Sequence, residues 1–146
     1  MYEALATLLE GLRRLSDSST CSEVRLAGDV NLLPDEVRSL LLSIASLRGD
    51  GSGLRVNLLA AYDSWDEVSR AASHSGGRIT LKDLWVETRV DAVIRTGGSA
   101  LLSGFLPMQT QYAHILTSDK MFNDLLDADF DQLLKAAAAV THLFGK

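Results

Sequence analysis

The sequence predicts an α/β protein in which a parallel β-sheet is flanked by helices, residues 1–146 forming a single domain. Three observations point that way. Short runs rich in Val, Leu and Ile alternate with longer stretches whose apolar residues recur at the three-to-four spacing of one helix face. Two of these runs end on Gly28-Asp29 and Gly97-Gly98, where a strand gives way to a turn. The resulting order, strand, helix, strand, helix, helix, strand, belongs to parallel strands joined by right-handed crossovers.

Each element has its own local reason. Residues 2–15 carry Leu5, Leu8, Leu9, Leu12 and Leu15 on one helical face, and residues 17–22 break that pattern. Residues 23–27 read as a strand closed by Gly28-Asp29. A second helix starts at Leu33-Pro34-Asp35-Glu36, with a proline and acids in its first turn. Its inward stripe is Val37, Leu40, Leu41, Ile44 and Leu47, and residues 49–53 end it as a polar loop. Residues 54–61 form a near-continuous apolar strand, as suits a sheet covered on both faces. After the turn at Tyr62-Asp63-Ser64 come a helix over residues 65–73 and a connection at residues 74–77. A short helix follows from Thr80, capped by its hydroxyl with Asp83 three residues on. Residues 90–94 are the next strand. Residues 105–116 are apolar on more than one face, which predicts a helix and then a brief extended stretch needing cover on several sides. Asp127 or Asp129 caps a last helix with Phe130, Leu133, Leu134, Ala137, Val140 and Phe144 facing inward, and Ala136 to Ala139 permit close helix packing.

Composition narrows the class of function. A net charge of -5 argues against nucleic acid as a partner and against a polybasic membrane anchor. The single cysteine, Cys21, leaves no internal disulfide and no cysteine metal cluster, which fits a reducing compartment. Nothing resembles a secretory signal peptide, and no apolar run approaches the ~18 residues of a membrane span. A cytoplasmic location with at most peripheral membrane contact is expected.

The chemistry concentrates at residues 90–114. Arg95 falls at the carboxyl end of its strand, the edge where ligands bind in open parallel sheets. Beside it, Thr96, Gly97 and Gly98 would complete a diphosphate cradle: a bidentate guanidinium, a hydroxyl and backbone that can approach closely. Plainer readings stand alongside. Arg95 can be a salt-bridged strand-end residue and His114 a hydrogen-bonding histidine. His74 and His142 have no ligand spacing between them. Trp65 and Trp85 suit core or interface, and Met108 and Met121 suit gap filling.

This stretch resembles the signature of the cis-prenyltransferases, the undecaprenyl and dehydrodolichyl diphosphate synthases. Their pattern is D-hydrophobic-hydrophobic-I-R-T-[SG]-G-E-x-R-[LI]-S-N-F-L-x-W-Q-x-x-Y-x-E. Asp91, Ile94, Arg95, Thr96, Gly97, Gly98, Ser103, Phe105, Leu106, Gln109 and Tyr112 match it. Ser99 replaces its Glu, Leu101 its second Arg and His114 its metal-binding Glu. Residues 24–29 are similar to the family's strand ending in I-G-D, and residues 56–62 to its N-I-A-x-x-Y segment, although Asp63-Ser64-Trp65 stand where it has Gly-Gly-Arg. The resemblance implies a truncated cis-prenyltransferase fold, undecaprenyl diphosphate synthase-like, with Met1 well inside it and no counterpart of the D-G-N motif that carries the metal-binding Asp.

In that family isopentenyl diphosphate is joined to an allylic diphosphate, with Mg²⁺ and cationic groups stabilising the departing diphosphate. One Arg in place of two, and no D-G-N, imply little activity alone. The pattern is closest to the non-catalytic, Nogo-B receptor type subunit of heteromeric members, which shares the Gly-Phe-Leu-Pro of residues 104–107 and a Gly-Lys end. The implied partner is a catalytic subunit carrying D-G-N, in a heterodimer or heterotetramer that handles isopentenyl and allylic diphosphates. This chain alone would bind no cofactor; Mg²⁺ would enter through the partner. Arg95, Thr96, Gly97, Gly98 and Ser103 are the diphosphate-binding candidates, and none is singled out as catalytic or metal-ligating. Phe105, Leu106, Met108, Gln109, Tyr112 and Ile115, with the last helix, are the interface candidates. Gly145 and Lys146 are the terminus reaching across it, although that motif's Arg is missing. Two alternatives remain: a small self-associating transferase or terpene-processing enzyme using Arg95, Ser103 and His114, and a pseudoenzyme that binds a prenyl diphosphate unchanged.

Overall fold

The computed structural model describes residues 21–46 and 53–139, together with Thr7, Glu10, Gly11 and Arg14. Those four positions are helical, and Arg14 pairs with Glu10 one turn earlier at 3.1 Å. The rest of the amino-terminal helix, Leu47, the loop at residues 49–52, and Val140, His142, Phe144, Gly145 and Lys146 lie outside the described residues. The chain divides into two compact units, Met1–Glu67 and Val68–Lys146.

In the first unit, β1 (Cys21–Ala27) pairs in parallel with β2 (Leu54–Leu59), placing Val24 beside Val56 and Leu26 beside Leu58. The strand begins earlier than expected, at Cys21, with a register irregularity before Glu23. Glu23 accepts from Arg25 at 2.9 Å and from Arg55 of the neighbouring strand at 3.1 Å. Helix α1 (Asp35–Ala45) lies against β1, and Val24, Leu41 and Ile44 form the core with Leu26, Leu33, Val37, Val56, Leu58 and Ala60 around them. Leu40, expected on the inward stripe, is exposed. Positions 37, 41 and 44 already fill a line one helical face wide, and position 40 falls off its side. At the carboxyl edge Gly28 adopts φ +116°, and a Cβ there would sit 2.2 Å from the Ala60 carbonyl oxygen. Only glycine permits that approach. It lets the Asp29 amide donate to the Ala61 carbonyl at 3.2 Å.

Helix α2 (Ser64–Ser75) starts where Asp63 accepts from the Trp65 and Asp66 amides at 2.8 and 3.1 Å. Trp65, expected in core or interface, is exposed and so is no core residue.

In the second unit, β3 (Ala92–Thr96) pairs in parallel with β4 (His114–Ser118), Arg95 beside Thr117 and Thr96 beside Ser118. Strand β3 starts later than residue 90 because the Val90 amide donates to the Gln109 carbonyl at 2.9 Å instead of entering the ladder. The helix expected from Thr80 is one 3-10 turn, Leu81–Asp83. Its capping residue is right: the Asp83 carboxylate accepts from the Thr80 amide at 2.7 Å and the Thr80 hydroxyl at 2.8 Å. Those two bonds hold the Asp83 carboxyl below the usual carboxylate range. Leu84 and Val86 then bury alternate side chains. Half-buried Trp85 takes the Arg70 guanidinium over its ring at 5.1 Å.

The helix expected over residues 105–116 does not form. Ser103, Gly104 and Leu106 take left-handed φ of 50°, 75° and 45°, and Pro107 has no amide to donate. The stretch is a series of turns followed by β4, which bears out the expected extended end. Helix α3 (Asp127–Ala138) carries Leu133 and Ala137 partly buried, whereas Phe130 and Leu134, expected inward, are exposed. Phe130 meets Phe122 edge to face at 6.1 Å. Among the described residues no helix is long and apolar enough to cross a membrane.

Candidate functional site at the carboxyl end of β3

The ladder with β4 carries β3 through Arg95 and Thr96, and the chain then turns at Gly97 and Gly98 with φ of 81° and 71°. Arg95 is half-buried. Its Nε is enclosed without a hydrogen-bond partner, and among the described residues Arg95 forms no ion pair. None of the described residues supports the salt-bridged reading of Arg95. An enclosed donor that finds no partner among the described residues is unfavourable.

The two glycine amides do not complete the expected cradle. The Gly97 amide donates to the Lys120 carbonyl and the Gly98 amide to the Ser118 carbonyl, both at 2.9 Å. Their expected part as anion donors is corrected: the turn's amides hold the segment after β4. A Cβ on Gly97 would lie 3.2 Å from Met121 Sδ, so that segment sits directly on the turn. Thr96 is half-buried, and Ser103 is exposed on the loop beyond. Ser99, where a Glu was expected, accepts from the Leu101 amide at 3.2 Å, and Leu101, in place of a second Arg, is exposed.

Of the interface candidates, Leu106 and Gln109 lie inside the second unit, 3% and 2% exposed. Gln109 Nε2 donates to the Val86 carbonyl at 3.1 Å. Beside it the Thr110 hydroxyl donates to the Leu106 carbonyl at 2.8 Å. These contacts pin residues 105–113 to the segment entering β3, so Leu106 and Gln109 are packing residues. Met108, Tyr112 and Ile115 are on the surface, Phe105 is half-buried, and Tyr112 lies under the Arg89 guanidinium at 6.0 Å. His114 is exposed and is held through its backbone, its amide donating to the Asp91 carbonyl at 3.0 Å.

One arrangement was not legible in the sequence. Lys120 Nζ donates to both carboxylate oxygens of Asp129, at 2.8 and 2.7 Å, and Asp129 also accepts from the Leu126 amide at 2.9 Å at the start of α3. The Lys120 ammonium first, and that amide second, hold the Asp129 carboxyl below the usual range. Asp129 also lines a cavity of about 300 Å³ with Leu116, Thr117, Ser118, Gln132 and Leu133. A nine-residue separation carries no local periodicity, so only the return of α3 onto β4 brings the pair together.

Mg²⁺ prefers oxygen ligands in near-octahedral array. Among the described residues no three His, Cys, Asp or Glu side chains converge as a cation site. The exposed imidazole of His114 does not replace a carboxylate, so the described residues do not fit that ion.

Parallel strands flanked by helices, with β3 ending in Arg95 and a Gly-Gly turn at the sheet edge, define an α/β protein. More specifically, residues 2–145 match the family model described as "Putative undecaprenyl diphosphate synthase", and the chain belongs to that family. An isoprenyl transferase of Campylobacter jejuni (strain RM1221) is 30% identical over 134 residues, covering 84% of this chain and 59% of that one. Isoprenyl transferase 1 of Corynebacterium glutamicum is 25% identical over 166 residues, covering this whole chain and 72% of that one. The crystal structure of a probable undecaprenyl diphosphate synthase from Campylobacter jejuni superposes with a TM-score of 0.81 at 28% identity, over 99% of this chain and 73% of that one. Lavandulyl diphosphate synthase from Lavandula x intermedia, solved with dimethylallyl diphosphate, has a TM-score of 0.77 at 20% identity and shares the fold. The expected fold class is therefore established, and the chain spans 59% of the Campylobacter relative's length.

Proposed function

We propose that this chain is a non-catalytic, accessory subunit of a heteromeric cis-prenyltransferase, which condenses isopentenyl diphosphate with an allylic diphosphate and whose metal-binding half is supplied by a partner. The observation that carries this reading is the unpaired Arg95 Nε at the end of β3. It retains one cationic hold on a diphosphate, while Leu101 and His114 remove the second cation and the carboxylate that transfer would need. Mg²⁺ would be bound by the partner. The exposed Met108, Tyr112 and Ile115 and the outer face of α3 are the surfaces proposed to meet it, with Gly145 and Lys146 reaching across.

The test is prenyl transfer from labelled isopentenyl diphosphate by a D-G-N-bearing homologue from the same source, with and without this chain. Activity only in the pair is expected; equal activity of the homologue alone would overturn the accessory role. One observation favours the alternative of a small self-associating transferase: the relatives are themselves named as transferases and synthases. Turnover by this chain alone, lost in Arg95→Ala, would establish that alternative. Diphosphate binding without turnover, alone or paired, would establish the pseudoenzyme.

A further inference from the structure

Asp129, on α3, touches neither Arg95 nor the Gly97–Gly98 turn in any contact described above, yet one chain of contacts joins them. The Gly97 and Gly98 amides donate to the carbonyls of Lys120 and Ser118, both at 2.9 Å, and the Lys120 amide approaches Ser118 Oγ at 3.3 Å. Residues 118–120 are thus stitched to the turn through their backbone. Among the described residues the ammonium of Lys120, held by both oxygens of Asp129, ties them to α3. Asp129 is itself fixed by the Leu126 amide at the first turn of α3. Lys120 is half exposed, so the pair lies at the surface, and its definition comes from the second anchor of the carboxylate at the helix start.

We infer that Lys120 and Asp129 are positioning residues for the anion site at Arg95. The strut sets residues 118–120 against the Gly97–Gly98 turn, and the turn fixes the end of β3 from which Arg95 projects. This rests on the reading of Arg95 as a diphosphate ligand, which is a separate matter from the strut. Lys120 has a second consequence. With its charge matched by Asp129, it is occupied as a strut and is not the second cation that Leu101 fails to provide.

The experiment is amide hydrogen exchange on the full chain, followed by titration with inorganic pyrophosphate, for the parent, Asp129→Asn, Lys120→Met, Lys120→Arg and Arg95→Met. Exchange at Gly97 and Gly98 should quicken about fivefold in Asp129→Asn and in Lys120→Met, within the range by which loss of one surface ion pair shifts a local opening. Amides of Ala92 and Val93 should not change, and Lys120→Arg should restore protection. Pyrophosphate affinity should fall by a similar few-fold in the first two variants and far more in Arg95→Met. Unchanged exchange at the two glycines would overturn the strut, whatever pyrophosphate does. Quickened exchange with undiminished pyrophosphate affinity, in a chain where Arg95→Met loses it, would overturn the positioning role while leaving the Arg95 reading intact. Quickened exchange with no effect of Arg95→Met on pyrophosphate would confine the strut to a structural role and remove the Arg95 reading instead.

Discussion

Arg95→Met separates a ligand-binding residue from a packing residue because the two roles predict opposite signs. Met keeps most of the apolar stem's volume and rotamer freedom while deleting the guanidinium. The enclosed Nε has no partner among the described residues, and an unsatisfied buried donor costs ~1 to 3 kcal/mol. Arg95 is only half-buried and the rest of its head remains near water, so the low end applies. Removing it should stabilise the chain by ~1 kcal/mol, raising the Tm by roughly 2 to 4 °C for a domain of this size. The same change removes a charge-assisted, two-point donor to a diphosphate and should weaken pyrophosphate binding by ~2 kcal/mol, about 30-fold. Differential scanning calorimetry and isothermal titration on the same preparations read both quantities. A destabilised variant with undiminished pyrophosphate affinity would refute the reasoning and return Arg95 to packing.

Three further expectations test the structure around that site. Gln109→Leu leaves the Val86 carbonyl without the Nε2 donor, so urea unfolding should show a loss of ~1 to 3 kcal/mol; lost association at full stability would restore Gln109 to an interface. Ile115→Asp, at an exposed position, should leave the chain folded and abolish its association with a catalytic partner, whereas Leu106→Asp, in the interior, should abolish folding itself, as circular dichroism and size-exclusion chromatography would distinguish. Asp83 and Asp129 are held below the usual carboxylate range in the folded chain, so their stabilisation is fully present above that range and fades as pH falls through their lowered folded values. The slope of stability against acid pH should flatten in an Asp83→Asn, Asp129→Asn double variant, and an unchanged slope would mean neither carboxyl is shifted.

What the sequence determined by itself was whatever depends on neighbours a few positions apart. The stripe through Val37, Leu41 and Ile44 defines α1 because 3.6-residue periodicity is a local property, and the Asp83 cap on Thr80 is local in the same way. The apolar run of β2 and the glycine closing β1 marked the first sheet, and the Arg-Thr-Gly-Gly end of β3 marked the family and the candidate site. Tertiary structure decided the rest, because the deciding partners lie far away along the chain. Residues 105–116 are apolar enough for a helix, but burial of Leu106 and Gln109 against the segment before β3 was worth more than local helix propensity, and Leu106 is left-handed there. The Gly97 and Gly98 amides looked like anion donors until β4 and the residues after it returned to claim them. Arg95 could not be told from an ordinary strand-end ion pair, since its missing partner is a fact about three-dimensional neighbours; the Lys120–Asp129 strut became visible only when α3 folded back onto β4.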